Sequence, residues 1–384
     1  MAMGFNPLLL AFYLPQYHPI PENDVWWGCG YTEWRKVAVA RPRFLGHHQP
    51  HIPADLGFYD LRLAETRQAQ ANLARAYGIT GFCYYHYWFN GQRLLNMPLD
   101  EMLASENQNF PFCLCWANEN WTRAWDGLDR QVLIEQSYTR DDSKRHISWL
   151  VNVFKDNRYI KVDDRPLFLI YRPDKIPNVS DMINSWRRVV RNSGFPDIYL
   201  CAVKNSFVEL NDEFINDLGF DAIVDFQPNR RSFPDKKDFM TSFYNLARHV
   251  LPDFIYQRMK LSVSANKIIC YREMVEKIIQ KSWPSHYRKF PCVFPSWDNS
   301  ARRKSATIIQ NDDPSLYSKW LKRAIQNVTN YPESEQIVFI NAWNEWAEGC
   351  HLEPDIKNGR VFLEETLRAM SVSDADYSRA RNIY

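Results

Sequence analysis

Near the end of the chain two glutamates stand three residues apart, in Trp343-Asn344-Glu345-Trp346-Ala347-Glu348-Gly349. They follow the apolar run Ile337-Val338-Phe339-Ile340, which reads as a strand buried on both faces. A fully extended continuation would aim Glu345 and Glu348 to opposite sides. Gly349 permits a sharp turn just past the strand end, and that turn would bring both carboxylates into one pocket. Two close carboxyl groups cannot both ionise freely, so the proton affinity of one rises and the pair can divide into an acid and a base. The plainer reading is one carboxylate at a helix start and another on the surface.

Further candidates follow the other apolar runs. They are Tyr13, Tyr17 and His18; Tyr85, His86 and Trp88; Trp116, Asn118, Glu119 and Trp121; Tyr171; Gln227; Trp297 and Asp298; and Trp343 and Asn344. Flat aromatic faces with interspersed amides and carboxylates suit a sugar, which offers apolar C–H faces and a rim of hydroxyls. A carboxyl pair supplies what glycosidic bond cleavage requires: one group protonates the leaving oxygen, and the other assists attack or stabilises positive charge. Glu119 and Asp298 are rival acids, each better suited to binding a hydroxyl. His47, His48 and His51 match no ligand spacing, which favours loop structure or substrate hydrogen bonds over a metal. With no ligand-spaced His/Cys/Asp set and no glycine-rich phosphate loop, the expectation is chemistry without a metal or nucleotide cofactor.

Eight short apolar runs carry these residues: Leu8–Leu14, Ile79–Trp88, Phe110–Trp116, Pro166–Tyr171, Ile198–Val203, Ala222–Val224, Cys292–Phe294 and Ile337–Ile340. Helical patterns alternate with them over 61–77, 94–105, 143–155, 179–192, a short stretch ending at Gly219, two patterns within 239–279, then 316–328 and 362–370. This alternation is the signature of a parallel sheet with crossover helices. Eight units in 384 residues predict one α/β domain over 1–384, a single (β/α)₈ TIM barrel with long inserted βα loops. In such a barrel the strand ends that carry the polar and aromatic residues form the site. A doubly wound open sheet fits less well, because no phosphate loop follows the first strand. Residues 19–60 form a long aromatic loop with Trp26, Trp27, Tyr31 and Trp34, far beyond the usual connection of about two to six residues, and read as a binding wall or lid. Residues 371–384 are a polar tail.

With 47 basic and 45 acidic residues the net charge is +2, which gives no electrostatic reason to expect nucleic acid or an anionic membrane. The run Leu8–Leu14 is too short for a signal peptide core or a membrane span. The eight cysteines include no C-x-x-C, and Cys83, Cys113, Cys115, Cys201 and Cys292 fall inside predicted strands, as reduced apolar side chains do. These features predict a cytoplasmic enzyme without membrane insertion.

The motif from Trp343 to Gly349, followed by Leu352-Glu353-Pro354, resembles the catalytic motif of glycoside hydrolase family 99, the endo-α-mannosidase type. The segments Phe12–His18, Gly81–Phe89 and Trp116–Trp121 resemble the related WbsX group of bacterial polysaccharide biosynthesis, whose members often carry the label glycosyltransferase. The resemblance covers nearly the whole chain. It implies a retaining reaction in which Glu345 takes the proton of the substrate's 2-hydroxyl, that oxygen displaces the leaving group, and Glu348 serves as general acid and then base. It also implies a manno-configured sugar, of mannose or rhamnose type, within an oligo- or polysaccharide. Two alternatives are a transferase or transglycosylase in cell-surface polysaccharide synthesis and a non-catalytic carbohydrate-binding barrel. A metal-dependent nucleotide-sugar transferase has little support: the Asp-x-Asp at Asp374-Ala375-Asp376 stands in the tail, away from any strand end.

Overall fold

A computed structural model describes residues 7–105, 108–123, 128–234, 266–284 and 286–371. The part of the helical patterns expected within 239–279 that precedes residue 266, and the tail from 372, lie outside them, Asp374 and Asp376 included.

Eight parallel strands form the centre: β1 Leu8–Tyr13, β2 Gly81–Phe89, β3 Phe112–Trp116, β4 Arg165–Ile170, β5 Tyr199–Val203, β6 Ala222–Asp225, β7 Lys289–Val293 and β8 Ile337–Ile340. Each pairs with the next, and β1 pairs with both β2 and β8, with Leu10 opposite Gly81 on one side and Phe339 on the other. The sheet is therefore closed: a (β/α)₈ TIM barrel. The crossover helices are α1 Ala64–Ala76, α2 Met97–Ala104, α3 Arg140–Phe154, α4 Val179–Asn192, α5 Asp212–Asp217, α6 Tyr271–Ile279 and α7 Pro314–Val328, with α8 Val361–Met370 after the last strand. Local signals set several boundaries. The Thr139 hydroxyl accepts from Asp142 N at 3.2 Å to cap α3, and Asp313 caps α7 ahead of Pro314.

The strands alternate their side chains between barrel interior and helix layer. Phe12 of β1 points inward, where its ring meets those of Tyr85, Phe226 and Phe339 at 5.1–5.6 Å between centroids. Its neighbour Tyr13 points outward, and its hydroxyl donates to Gln70 Oε1 of α1 at 2.7 Å. Burying each of these rings contributes about 1.5–3 kcal/mol, so an aromatic plug fills the barrel below its upper rim.

Structure beyond the expected units clusters at that rim. The long first loop contains two short helices, Pro21–Trp27 and Trp34–Ala38. A hairpin of Trp121–Arg123 with Leu128–Ile134 follows β3, and a three-stranded sheet of Trp297–Asp298, Lys267–Cys270 and Thr307–Gln310 surrounds the end of β7. No helix among the described residues is long and apolar enough to cross a membrane.

Candidate active site

A cis peptide joins Asn341 to Ala342 where β8 ends, and Trp343 N donates to Phe12 O at 2.7 Å, drawing the chain across the top of β1. Asn344 then locks the segment to β1's exit: its amide accepts from Leu14 N at 2.7 Å and donates to Leu14 O at 3.0 Å. Asn344–Glu345 pairs antiparallel with Cys350–His351, and Trp346–Glu348 forms a tight 3₁₀ turn between them. The turn closes at Gly349, φ +54°, where an added Cβ would lie 3.0 Å from both the Cβ and the backbone nitrogen of Asp298. Glycine suits that conformation and that approach together, since any side chain there would be strained and would press on Asp298. The expected turn is present, and it places Glu345 and Glu348 on one cavity wall.

The two carboxylates share one cation. Arg302 Nη2 donates to Glu345 Oε2 at 2.9 Å and its Nη1 meets Glu348 Oε1 at 3.0 Å, while its Nε donates to Glu33 Oε1 at 2.5 Å. Arg302 is 8% exposed and Glu345 6%. Burial pushes the Glu345 carboxyl up to about 8, Arg302 opposes that shift, and the negative charges of Glu348 and Glu33 reinforce it. Burial disfavours the charged guanidinium, yet the three glutamates outweigh it and hold Arg302 well above its ordinary value. The Glu348 side chain is the more open of the motif pair, at 25%.

The cavity is about 850 Å³ and spans the barrel mouth. Of the sequence-derived candidates, Tyr85, Asn118, Glu119, Trp121, Tyr171, Trp297, Glu345 and Glu348 line it. Tyr85 and Tyr171 form part of its aromatic floor. Asn118 clasps Arg172 through both its backbone groups, at 2.7 and 2.8 Å, and Glu119 pairs with the Arg172 guanidinium. Trp121 stands on the hairpin after β3, packed against Tyr87 and Trp26. The long first loop brings Asn23 and Trp27 to the opposite wall.

The remaining candidates lie behind the cavity wall, which corrects their expected place. Tyr13, His86, Trp88 and Trp116 fall on the outward register of their strands. His86 Nε2 meets His146 Nε2 of α3 at 3.0 Å, Trp88 Nε1 donates to Asp142, and Trp116 packs against His146 and Trp186. Tyr17 is fully buried, its hydroxyl donating to Asn344 O at 2.5 Å and accepting from Trp346 N. His18 is buried, and burial pushes its pKa down to about 4. Trp343 sits in the core against Phe82, and Asn344 is spent on the backbone of Leu14. Gln227 lines a separate cavity of about 200 Å³ with Lys204, Asp212 and Lys289, and its amide oxygen accepts from Asn229 N. Asp298 turns away from Trp297 to accept from His47 Nε2 at 2.7 Å and Gln49 Nε2 at 2.6 Å. Burial raises its pKa, but these bonds and that of Ser300 outweigh it and hold the carboxyl below its usual range.

Sequence reasoning passed over Arg302, Glu33, Gln16 and Asn23. Buried polar atoms without a partner among the described residues include both amide atoms of Asn23, Gln16 Nε2 and Trp297 Nε1, and all three residues line the cavity. Donors and acceptors left bare in this way are costly unless something in the cavity meets them. Arg302 could have been found as a basic residue shortly after the Trp297-Asp298 strand end, in Ala301-Arg302-Arg303-Lys304, and Glu33 as the acid inside Tyr31-Thr32-Glu33-Trp34. Gln16 stood within a motif already singled out, whereas nothing local marks Asn23. Outside the cavity, one group of metal-ligating side chains comes together among the described residues: His51, His351 and Asp355.

A family model described as Glycosyltransferase WbsX matches residues 9–366. Two curated relatives from Xanthomonas campestris pv. campestris, strains ATCC 33913 and B100, each described as an uncharacterized protein WxcX, are 42% identical over 365 residues, covering 94% of this chain and 49% of theirs. The chain thus spans about half the length of the curated relatives it matches. Among solved structures, a glycoside hydrolase-like protein superposes with a TM-score of 0.56 at 11% identity, covering 97% of this chain and 96% of its own. A GH99 endo-α-mannosidase from Bacteroides thetaiotaomicron gives 0.54 at 14% identity, covering 98% and 99%. At such identities the likeness is one of fold.

Proposed function

Because the chain belongs to the WbsX glycosyltransferase family, and because Glu345 and Glu348 share one guanidinium on the wall of a polar and aromatic cavity, we propose that it is a carbohydrate-active enzyme that cleaves glycosidic bonds in an oligo- or polysaccharide through this pair. The shared guanidinium is the observation that carries the reading. It keeps two carboxyl groups side by side in a low-dielectric site, where their proton affinities separate. The bare polar atoms of Gln16, Asn23 and Trp297 support a ligand with many hydroxyls, and the rings of Tyr85, Trp121 and Tyr171 offer faces for its C–H surfaces.

The order of the roles is that of the family 99 motif the chain resembles. Glu345, as a carboxylate, takes the proton of the 2-hydroxyl of a manno-configured sugar; its raised proton affinity makes that carboxylate a strong base, present as the minority form near neutral pH. The 2-oxygen attacks C1, the C1–O bond to the leaving group breaks, and Glu348 gives its proton to the departing oxygen. The product is a 1,2-anhydro sugar. Glu348, now a carboxylate, removes a proton from an incoming hydroxyl that opens the ring at C1, and Glu345 returns its proton to the 2-oxygen. Two inversions at C1 give net retention. Glu348's greater openness suits the partner that must meet both the leaving group and the incoming nucleophile.

The nucleophile can be water or a sugar hydroxyl, and the family's description as a glycosyltransferase favours keeping transfer as the second reading. The test is a screen of defined α-mannosides, α-rhamnosides and cell-surface polysaccharides, with and without saccharide acceptors, products read by mass spectrometry. Shortened products from a manno-configured substrate and none from its 2-deoxy counterpart are expected; extended products would establish transfer. Efficient turnover of the 2-deoxy substrate overturns the mechanism. Saccharide binding without any turnover would leave a binding protein instead.

A further inference from the structure

The first loop is sewn to the far side of the hairpin that carries Glu345. Ala54 N donates to Pro354 O at 2.9 Å and Ile356 N to Ile52 O at 2.9 Å, so residues 52–54 and 354–356 run side by side. Where they meet, His51 Nδ1 lies 2.9 Å from His351 Nε2, and Asp355 Oδ2 lies 3.8 Å from that same nitrogen. All three residues are more than nine-tenths buried. The rings are fixed by their surroundings. Trp346 stacks on His351 with centroids 3.7 Å apart, and His351 Nδ1 donates to Glu353 O at 2.9 Å. Asp355 is oriented by Asn358, whose N and Nδ2 donate to its two oxygens at 2.6 and 3.1 Å.

One proton shared between His51 and His351 can meet both nitrogens, and Asn358 Nδ2 meets Asp355 Oδ2, so what points to a cation is the convergence of three buried ligand atoms. Because the Nδ1 proton of His351 is committed to Glu353 O, its Nε2 presents a lone pair. Asp355 Oδ2 is a second acceptor facing the same spot, and His51 Nδ1 can supply one proton at most. A cation there would satisfy the two nitrogens and the oxygen together. A ligating histidine whose other ring nitrogen donates to a backbone carbonyl is the arrangement that metal sites employ to fix ring orientation. At the usual zinc–nitrogen length of about 2.0–2.1 Å, two ligating nitrogens sit roughly 3 Å apart or slightly more, so the rings need to part by only a few tenths of an ångström.

We propose that His51, His351 and Asp355 bind a divalent metal ion, with zinc the best match to a two-nitrogen, one-oxygen donor set, and that the ion pins the first loop to the hairpin holding Glu345. The ion is structural and stands outside the cavity. This explains why His51, remote from its partners in sequence, shows no ligand spacing: fold closure brings His351 to it from 300 positions away.

The test uses the full chain, purified without a histidine tag, stripped with chelator and dialysed against ZnCl₂. Elemental analysis is expected to find about one zinc per chain, with a higher melting temperature than the stripped protein. His51→Gln and Asp355→Asn should each abolish both the retention and the thermal shift. Crystals of the unmodified protein soaked in ZnCl₂ should show anomalous density between His51 and His351, which keeps the test open if the variants fold poorly. Less than about a tenth of an equivalent of zinc with no thermal shift, or density and retention elsewhere on the chain, would establish a plain histidine–histidine hydrogen bond and overturn the proposal.

Discussion

Two shells of the barrel top are built from the same kinds of residue and behave differently. The inner shell holds Tyr85, Tyr171, Trp297, Glu345, Glu348 and Arg302 around the cavity. The outer shell, between strands and helices, holds Tyr13, His86, Trp88 and Trp116 against Gln70, Asp142 and His146. Aromatics, histidines and carboxylates occur in the whole set. In the outer shell the polar atoms mostly pair with one another and the rings stack edge and face. In the inner shell amide and indole atoms stay unpartnered, and three carboxylates lean on one buried cation. Residue type does not separate a site from a satisfied core layer. Strand parity and the sharing of one buried guanidinium by three carboxylates do, whereas unpartnered polar atoms occur in both shells, at Trp116 Nε1 and His146 Nδ1 in the outer one.

The comparison breaks most visibly if the inner carboxylates can be neutralised without consequence. Glu345→Gln and Glu348→Gln should each fold and lose about 10²–10⁴-fold in turnover, measured as initial rates on the saccharide identified by screening. On a glycosyl fluoride, whose leaving group departs without a proton, Glu348→Gln should recover part of its rate and Glu345→Gln should stay slow. Equal recovery would reverse or dissolve the assignment of roles, and Glu119 would become the next acid to test. Next in size is Arg302→Met, which leaves Glu33 and Glu345 buried without their cation. Losing one partner of such a group costs about 3–5 kcal/mol, and urea denaturation at pH 7 should show it. An unchanged midpoint would mean that the shared guanidinium is not what holds these side chains in the fold.

A pH profile sharpens the same contrast. Because Glu345 must be ionised while Glu348 carries a proton, kcat/KM should be bell-shaped, and with the Glu345 affinity raised to about 8 its alkaline limb should begin near that value. Stability should respond over the same range. The native state holds this proton over a range where the unfolded chain, near 4.5, has released it, so stability falls as pH rises from 4.5 towards 8. Glu345→Gln should flatten that fall in thermal melts across the window.

Much of this was legible in the sequence because periodicity and punctuation are local. The helix over 179–192 was read with both ends in place, and α1, α7 and α8 to within a few residues. The turn at Gly349 followed from one residue's freedom in φ. What was not legible depended on parity and on distance. Reading β2 as a strand ending in aromatics does not say that Tyr85 and Tyr87 face in while His86 and Trp88 face out; that depends on where the pleat starts relative to the closed sheet. Arg302 and Glu33 are separated by 269 positions and meet only once the β7 loop and the first loop fold over the same rim. The sheet around Trp297 was missed because its three short strands are scattered between 267 and 310, each too brief for alternation to register.

The smallest effect belongs to the outer shell, and it tests whether that shell is only scaffold. His86 and His146 meet through their Nε2 atoms, with His86 stacked on Trp149 and His146 on Trp88. Burial pushes His86 down to about 3 and His146 below its ordinary value as well, so both are neutral at physiological pH and one proton bridges them. His86→Phe removes one partner and strands the other, a loss of about 1–3 kcal/mol. Replacing both by Phe removes the polar atoms altogether, so the double variant should lose less than the sum of the singles, with a coupling of at least about 0.5 kcal/mol. The sign of the pH effect follows from the lowered affinities. The unfolded chain takes up protons as pH falls below about 6.5 while the native pair resists until about 3, so the parent loses stability through that window and the double variant should lose less. Turnover should stay within about twofold of the parent in all three variants, since nothing in the outer shell meets the reacting atoms and changes at such positions act mainly through stability. A large fall in kcat with an unchanged melting temperature would show instead that the histidine pair reaches the cavity through β2, and the division between the two shells would fail.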